Sequence, residues 1–428
     1  MKSRRHSGKN YGLPGKSYGL SGKNYTLAAT AIALALSACV HSQRQPASIE
    51  EAERARVGSP FLDDVAVCSE FSDKVSHDQA KVIGDVMATH AHRLNHVLWH
   101  ATRNSWSSFS TAEKKVLQKL SPQWGKNAPV CPAPTPAGTA NAAGEEFLLM
   151  HHQMVDSLRA ALIESRLQCI AGWQTLPEKD DSVWPVPTGE RGDSSKSDKT
   201  GTLMSAWMSR FDDSRYLKGK SLSYIGYLVE LSIHNHMHMR WAARPSVGDD
   251  FSPLDNSFNA DSLVEPSNKY DDPKYHWLGN PYSAHVNPIF WKLHGWVDAV
   301  IPKWLKANGY SSISANCGGK SGCYQWKTKW VGGMVEHAAP GGARGLPHSH
   351  PQTPKLDPSE NETANRAIRK AFSGSGFGNA KFDRFQNPPL PHGPVSHAPG
   401  APPRDAAGPD PLEDPAVYVK QFGPCSGG

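Results

Sequence analysis

No apolar stretch in this 428-residue chain is long enough to cross a bilayer. The longest, residues 27–36, holds about half of the ~20 apolar residues that a spanning helix needs. A helical membrane-spanning architecture is therefore not expected. Charge of one sign is in little excess. Lysine and arginine number 46 against 40 acidic residues, a net of +6, and no basic stripe is interleaved with aromatics, so nucleic acid is not an expected partner. Cysteine is sparse, seven in all, and none falls in the C-x-x-C spacing of redox or zinc motifs. Apolar residues make up 38% and the mean hydropathy is −0.53, low for a compact enzyme. With 34 Pro and 37 Gly gathered in a few stretches, the composition reads as a folded centre diluted by polar flanks.

The N-terminus sets the expected compartment. Lys2, Arg4, Arg5, Lys9, Lys16 and Lys23 form a basic leader ahead of the apolar run 27–36, as in a secretory signal peptide. The run ends in Leu36-Ser37-Ala38-Cys39, which resembles the bacterial lipobox. The resemblance implies a lipoprotein-type signal peptide over 1–39, lipidation of Cys39, and export to the periplasmic side of a bacterial cell envelope. The anchor would hold the protein to a membrane, the outer one by expectation. An ordinary signal peptide with a chance cysteine is the alternative. In an oxidising compartment the remaining Cys68, Cys131, Cys169, Cys317, Cys323 and Cys425 allow up to three disulfides. Cys317 with Cys323, across a Gly-rich loop, is the expected local pair.

Histidine is plentiful, 20 in all, and much of it keeps helical spacing. After an entry segment over 40–75, Asp78 opens a helix expected to reach about Trp106, with His92, His96 and His100 at i, i+4 and i+8 on one face. A short helix follows over 112–120, capped by Ser110 or Thr111. Beyond a Pro/Ala/Gly loop (121–144), a helix from Glu145 to about Ala171 lines up Phe147, His151, Met154, Leu158 and Leu162, with His152 off that stripe. A third helix starts near Ser221 and carries Tyr227, Leu231, His234, His238 and Trp241. The fourth opens with Asn287 as N-cap and Pro288 at the first helical position, carries Phe290, His294, Val297 and Ile301, and ends at Gly309. A buried unpaired imidazole costs about 1–3 kcal/mol, so six on inward stripes point to a shared metal centre.

Two of these segments read His234-Asn235-x-x-His238 and Asn287-Pro288-x-Phe290-x-x-x-His294-x-x-x-Asp298. They resemble the second copper site of the type-3 copper proteins, the tyrosinase, catechol oxidase and haemocyanin/prophenoloxidase family, with Asn287 where that pattern has Asp. Leu94-Asn95-His96-Val97-Leu98-Trp99-His100 and Met150-His151-His152-Gln153 resemble its first site. The resemblance implies a mainly α fold over 76–330. Its core would be a four-helix bundle holding two copper ions on His96, His100, His151 and on His234, His238, His294. It implies O2 as co-substrate and oxidation of phenols or catechols to o-quinones through a bridging peroxide. Asn235 matches the position that orients a phenol-deprotonating water. Phe290 would pack on ligand rings, and Asp298 would hold the helix or a basic partner.

Alternatives remain open on the residues themselves. His92 competes with His96 or His100, and His152 with His151. Zinc rivals copper for all-imidazole ligation. A non-catalytic copper- or O2-binding lipoprotein and a single-metal protein using His234, His238 and His294 are the other classes. His236, His276 and His285 are expected outside the ligand set. The Pro/Gly/His-rich 331–428 is expected to be a disordered tail with a short helix near 363–372, whose Tyr418 or Phe422 could plug the site.

Overall fold

The computed structural model describes residues 68–120, 135–137, 142–188, 194–243, 268–272, 275–328, 356–374 and 410–422. The leader, Cys39, Cys131, Cys425, the side chain of Phe422 and the histidines His348, His350, His392 and His397 lie outside the described residues.

The fold is mainly helical. Helix α1 (His77–Val82) begins at Ser76, not Asp78. Ser76 and Gln79 satisfy each other's backbone N–H groups in a capping box, leaving Asp78 inside the first turn. The single helix expected as far as Trp106 is in fact two. A π-turn over Ile83–Met87 follows α1, the chain leaves helical geometry at Ala88, and Thr89 caps a new helix, α2 (His90–Ser105). Ser110 and Glu113 form the capping box of α3 (Thr111–Leu120).

Helix α4 (Ala143–Glu164) is followed by α5 (Asp198–Asp212), the single turn α6 (Ser214–Leu217) and α7 (Leu222–Val229). A second π-turn, Glu230–His234, joins α7 to α8 (Asn235–Trp241). Helix α9 (Pro288–Ala307) is capped by Asn287, whose side chain accepts from the Ile289 N–H at 3.0 Å, and Gly309 takes φ +79° just past its end. Pro302 lies inside it.

Two close backbone approaches hold the histidine helices, one between α4 and α7 and one between α9 and the chain just past residue 170. A Cβ on Gly144 of α4 would lie 2.0 Å from the Ser223 carbonyl of α7, and one on Gly226 equally close to the Gly144 carbonyl. Gly295, next to His294 on α9, meets Gly172 in the same way. Around these crossings Trp99, Trp207, Trp241, Trp291 and Trp296 are buried in one core, where truncating each to alanine would cost roughly 3–5 kcal/mol.

The packed region is wider than 76–330. Strand β1 (Phe71–Ser72) pairs in parallel with β2 (Cys169–Ile170), and Cys68 is disulfide-bonded to Cys169. Strands β3 (Ser312–Ser314) and β4 (Cys323–Gln325) pair beside the Cys317–Cys323 disulfide. Helix α10 (Pro358–Gly374) packs Ala367, Ile368 and Ala371 against Val97, Ala101 and Leu117. Helix α11 (Pro415–Phe422) buries Tyr418 and Val419. Segments 356–374 and 410–422 are thus part of the structure rather than a disordered tail. Their apolar stripes are short and, in α10, largely alanine, so they vanish in a composition averaged over 331–428.

The Cys68–Cys169 bridge closes a loop of sequence separation 101, against 6 for Cys317–Cys323. Loop entropy then predicts stabilisation of about 4.7 kcal/mol from the first and roughly 2 from the second. Urea denaturation of the two double Cys→Ser variants should show the larger loss on removing Cys68 and Cys169.

Candidate metal centre

Six of the buried or half-buried imidazoles come from four places in the chain. His96 and His100 lie one turn apart on α2, His151 on α4, His234 and His238 on the π-turn and α8, and His294 on α9. Most are oriented through Nδ1. His96 donates to the Pro281 carbonyl at 3.0 Å, His151 to Phe147 at 2.8 Å, His238 to Leu278 at 2.8 Å and His294 to Phe290 at 2.7 Å. His234 Nδ1 lies 3.0 Å from the Asn235 side-chain oxygen. A carbonyl oxygen can only accept, so the proton sits on Nδ1 and Nε2 is left as a bare lone pair.

Two pairs of Nε2 atoms face one another. His234 Nε2 and His294 Nε2 are 3.2 Å apart, as are His96 Nε2 and His100 Nε2. His151 Nε2 is buried without a hydrogen-bond partner. With both Nδ1 atoms of the His234–His294 pair directed at oxygen acceptors, the contact between their Nε2 atoms is repulsive unless a cation lies between them. Two nitrogens each about 2.0–2.1 Å from one tetrahedral ion are about 3.3 Å apart, close to the observed spacing.

Among the described residues, two sets have ligand atoms all within 4.8 Å of one another: His96, His100, His151 and His151, His234, His294. Each can hold a metal ion. His151 belongs to both, so they form one connected cluster. Across it the His151 and His294 rings stack at 4.6 Å with a 2° interplanar angle, and His100 stacks on His234 at 6.4 Å. His238 stands at the edge, its ring 4.7 Å from His234 and 5.2 Å from His294, and is not within the second set. Upstream of it the π-turn inserts one residue into the helical repeat, burying Glu230 and leaving Leu231 half-exposed, off the single stripe expected from regular spacing.

Electrostatics keeps the cluster ready for a metal. Burial lowers the basicity of every ring. It takes His96 and His238 to about 4, and it takes His100, His151, His234 and His294 well below 6.5 with help from neighbouring imidazoles. Neutral imidazole is the form that ligates.

The surrounding residues hold this arrangement. Phe290 packs on His294 at 3.9 Å and lies 5.8 Å from His238. Asp298 accepts from His152 Nδ1 at 2.7 Å and forms an ion pair with Arg159 at 2.7 Å. Burial pushes the Asp298 carboxyl up, but Arg159 and His152 outweigh it and hold the group below its ordinary range. That contact claims His152 and leaves His151 to the cluster. Glu230 of the π-turn pairs with Arg103 of α2, which also donates to the Ala143 carbonyl at 2.6 Å. Lys196 caps α8 by donating to the carbonyls of Met239, Arg240 and Ala242 at 2.5–2.8 Å.

His92 is buried on the cluster's flank, outside both sets, and His276 is exposed. His285, set aside in the sequence reading, is fully buried in a 3-10 turn before α9. Its ring lies 4.4 Å from His96 and 4.5 Å from Phe290, and neither nitrogen has a hydrogen-bond partner. The only sequence signal was its place two residues ahead of the Asn287 cap. His236 is buried on the opposite side of its helix, where its Nδ1 donates to the Ser232 carbonyl at 2.8 Å. Tyr418 lies against His236 and Trp207 there, behind the ligand helix, rather than in the site as a plug.

No family model matches the chain, and no curated protein matches it significantly.

In the metal-free protein, imidazoles released by unfolding titrate near 6.5, whereas His96, His236 and His238 in the fold titrate near 4. Between these values the unfolded chain binds more protons. Stability is therefore fully present above about pH 6.5 and is lost as pH falls toward 4. Urea midpoints of the metal-free protein measured across that window should decline steadily on acidification.

Proposed function

We propose that this chain is a tyrosinase-like copper oxidoreductase, using O2 to oxidise phenols or catechols to o-quinones. The observation that carries the reading is the pair of 3.2 Å contacts between Nε2 atoms, one on each side of His151, in sets with no thiolate or carboxylate. All-imidazole donors suit copper or zinc. A lone zinc needs no more than four ligands, and the cluster offers six imidazoles. That excess favours two ions, with His238 completing the second triad, and the four histidine-bearing helices then make a metal-holding four-helix bundle.

Copper bound there would supply electron exchange with dioxygen, which no side chain offers. Over a full cycle two catechols lose two electrons and two protons each, and one O2 becomes two waters. The chain's own residues orient and exclude. The carbonyls of Pro281, Phe147, Leu278 and Phe290 hold the ligand rings by Nδ1. Phe290, fully buried, packs on the His294 ring and holds it in place. Asn235, through its side-chain contact to His234 Nδ1, orients that ligand, and its amide nitrogen is the group suited to hold a water near the substrate hydroxyl.

Export and lipid anchoring at Cys39 belong to the same proposal. The Cys68–Cys169 and Cys317–Cys323 disulfides support an oxidising compartment. A second reading, one metal ion per chain, is favoured by the membership of His151 in both sets.

Metal analysis separates the two. After anaerobic Cu(I) loading of the full chain, the dinuclear reading expects two coppers and an intense near-ultraviolet band on admitting O2. His96→Ala should lose one copper and the band. One metal in the wild type, unaltered by His96→Ala, would establish the single-ion protein instead.

A further inference from the structure

The segment 410–422 is far from the histidines in sequence yet is tied to the helix that carries two of them. Trp207 Nε1 donates to the Leu412 carbonyl at 2.8 Å, and Tyr216 donates to Asp414 at 3.1 Å. Tyr418, 2% exposed, places its hydroxyl 3.2 Å from His236 Nε2. The Trp207 ring lies 5.1 Å from His236 and 4.7 Å from Tyr418.

His236 lies between His234 and His238 but faces the other way. Its Nδ1–H donates to the carbonyl of Ser232, which is inside the π-turn. The free Nε2 must then accept, and the Tyr418 hydroxyl donates to it. The result is a directed chain: Tyr418 O–H to His236, then His236 N–H to the Ser232 carbonyl. Two residues beyond Ser232 is His234, whose Nε2 faces His294.

A π-turn is a rare local geometry, held by its surroundings rather than by propensity. Losing its extra residue would turn the segments on either side by about 100° relative to one another. His234 would then no longer meet His294 while α7 stays packed at Gly144. What braces the turn from behind therefore sets the second imidazole set.

We propose that residues 410–422 are an intramolecular brace for the second metal set, with Tyr418 as a positioning residue acting through His236 on the π-turn. The inference rests on the metal-binding reading above and adds a regulatory element to it. By linkage the coupling is reciprocal: docking of 410–422 tightens metal at His234 and His294, and metal there tightens the docking. The first set, on α2 and α4, lies outside this chain of contacts.

The test uses the full-length protein and Cu(I) as probe. Amide hydrogen exchange over 410–422 should slow on copper loading in the wild type. In Tyr418→Phe that slowing should vanish, and Cu(I) affinity of the more weakened site, measured against a competing chelator, should fall about tenfold, the lower end of what outer-shell partners contribute. His96→Ala should keep the copper-dependent slowing, whereas His294→Ala should abolish it. Exchange over 410–422 that is the same with and without copper, measured on the wild type alone, would overturn the proposal, as would unchanged affinity in a folded Tyr418→Phe. If His294→Ala also leaves copper binding unchanged, the metal reading itself fails. If His294→Ala loses copper while exchange is uncoupled, only the brace fails.

Discussion

Five of the six clustered imidazoles are aimed because something else takes the other ring nitrogen. Four of the six place Nδ1 on a backbone carbonyl, and His234 places it on the Asn235 side chain. That single hydrogen bond fixes tautomer and ring orientation together. It also sets the buried Nε2 lone pairs of His234 and His294 against each other at 3.2 Å, a repulsive contact unless a cation lies between them. Much of the surrounding structure serves to hold those rings in place.

Two of the carbonyl acceptors are supplied from within the helices. His151 and His294 each reach back one turn, to Phe147 and Phe290. The other two, Leu278 and Pro281, come from the connection leading into α9. That connection is therefore as much a part of the centre as the helices are. The Gly144–Gly226 crossing packs α4 directly on α7, Gly295 of α9 packs on Gly172, and the buried tryptophans fill the space around them. Arg103 with Glu230, and Asp298 with Arg159 and His152, pin the helices to one another. Buried ion pairs of this kind contribute little net stability; here they fix register.

Much of the centre could be read in advance. The i, i+4 pairs at 96/100 and 234/238, the stripe through His151, and the Asn287-Pro288 cap that starts the His294 helix are local patterns, and the structure brings five of their histidines into one cluster with His238 at its edge. The misses have local causes of a different kind. Ser76 displaced Asp78 as a cap because Gln79 could answer it. Regular 3.6-residue spacing carries no sign of a π-turn, so the break after Val82 and the shift that takes Leu231 off the His234 stripe were invisible. His285 lies in a turn, where periodicity says nothing about facing. The alanine-rich stripe of α10 and the single turn or two of α11 were too slight to stand out from their Pro/Gly surroundings.

The sequence by itself determined the helices, their caps and the spacing of histidines along each one, because these depend on neighbours within a turn or two. It also determined the chemistry on offer, imidazole without thiolate or carboxylate. Tertiary structure alone decided which imidazoles converge, which nitrogen each presents, and what stands behind them. The carbonyl that orients His96 lies 185 residues away, the ring facing His234 lies 60 away, and the hydroxyl against His236 lies 182 away. A hydrogen bond is set by direction and distance in space, and nothing in the spacing of a linear chain encodes either across such separations.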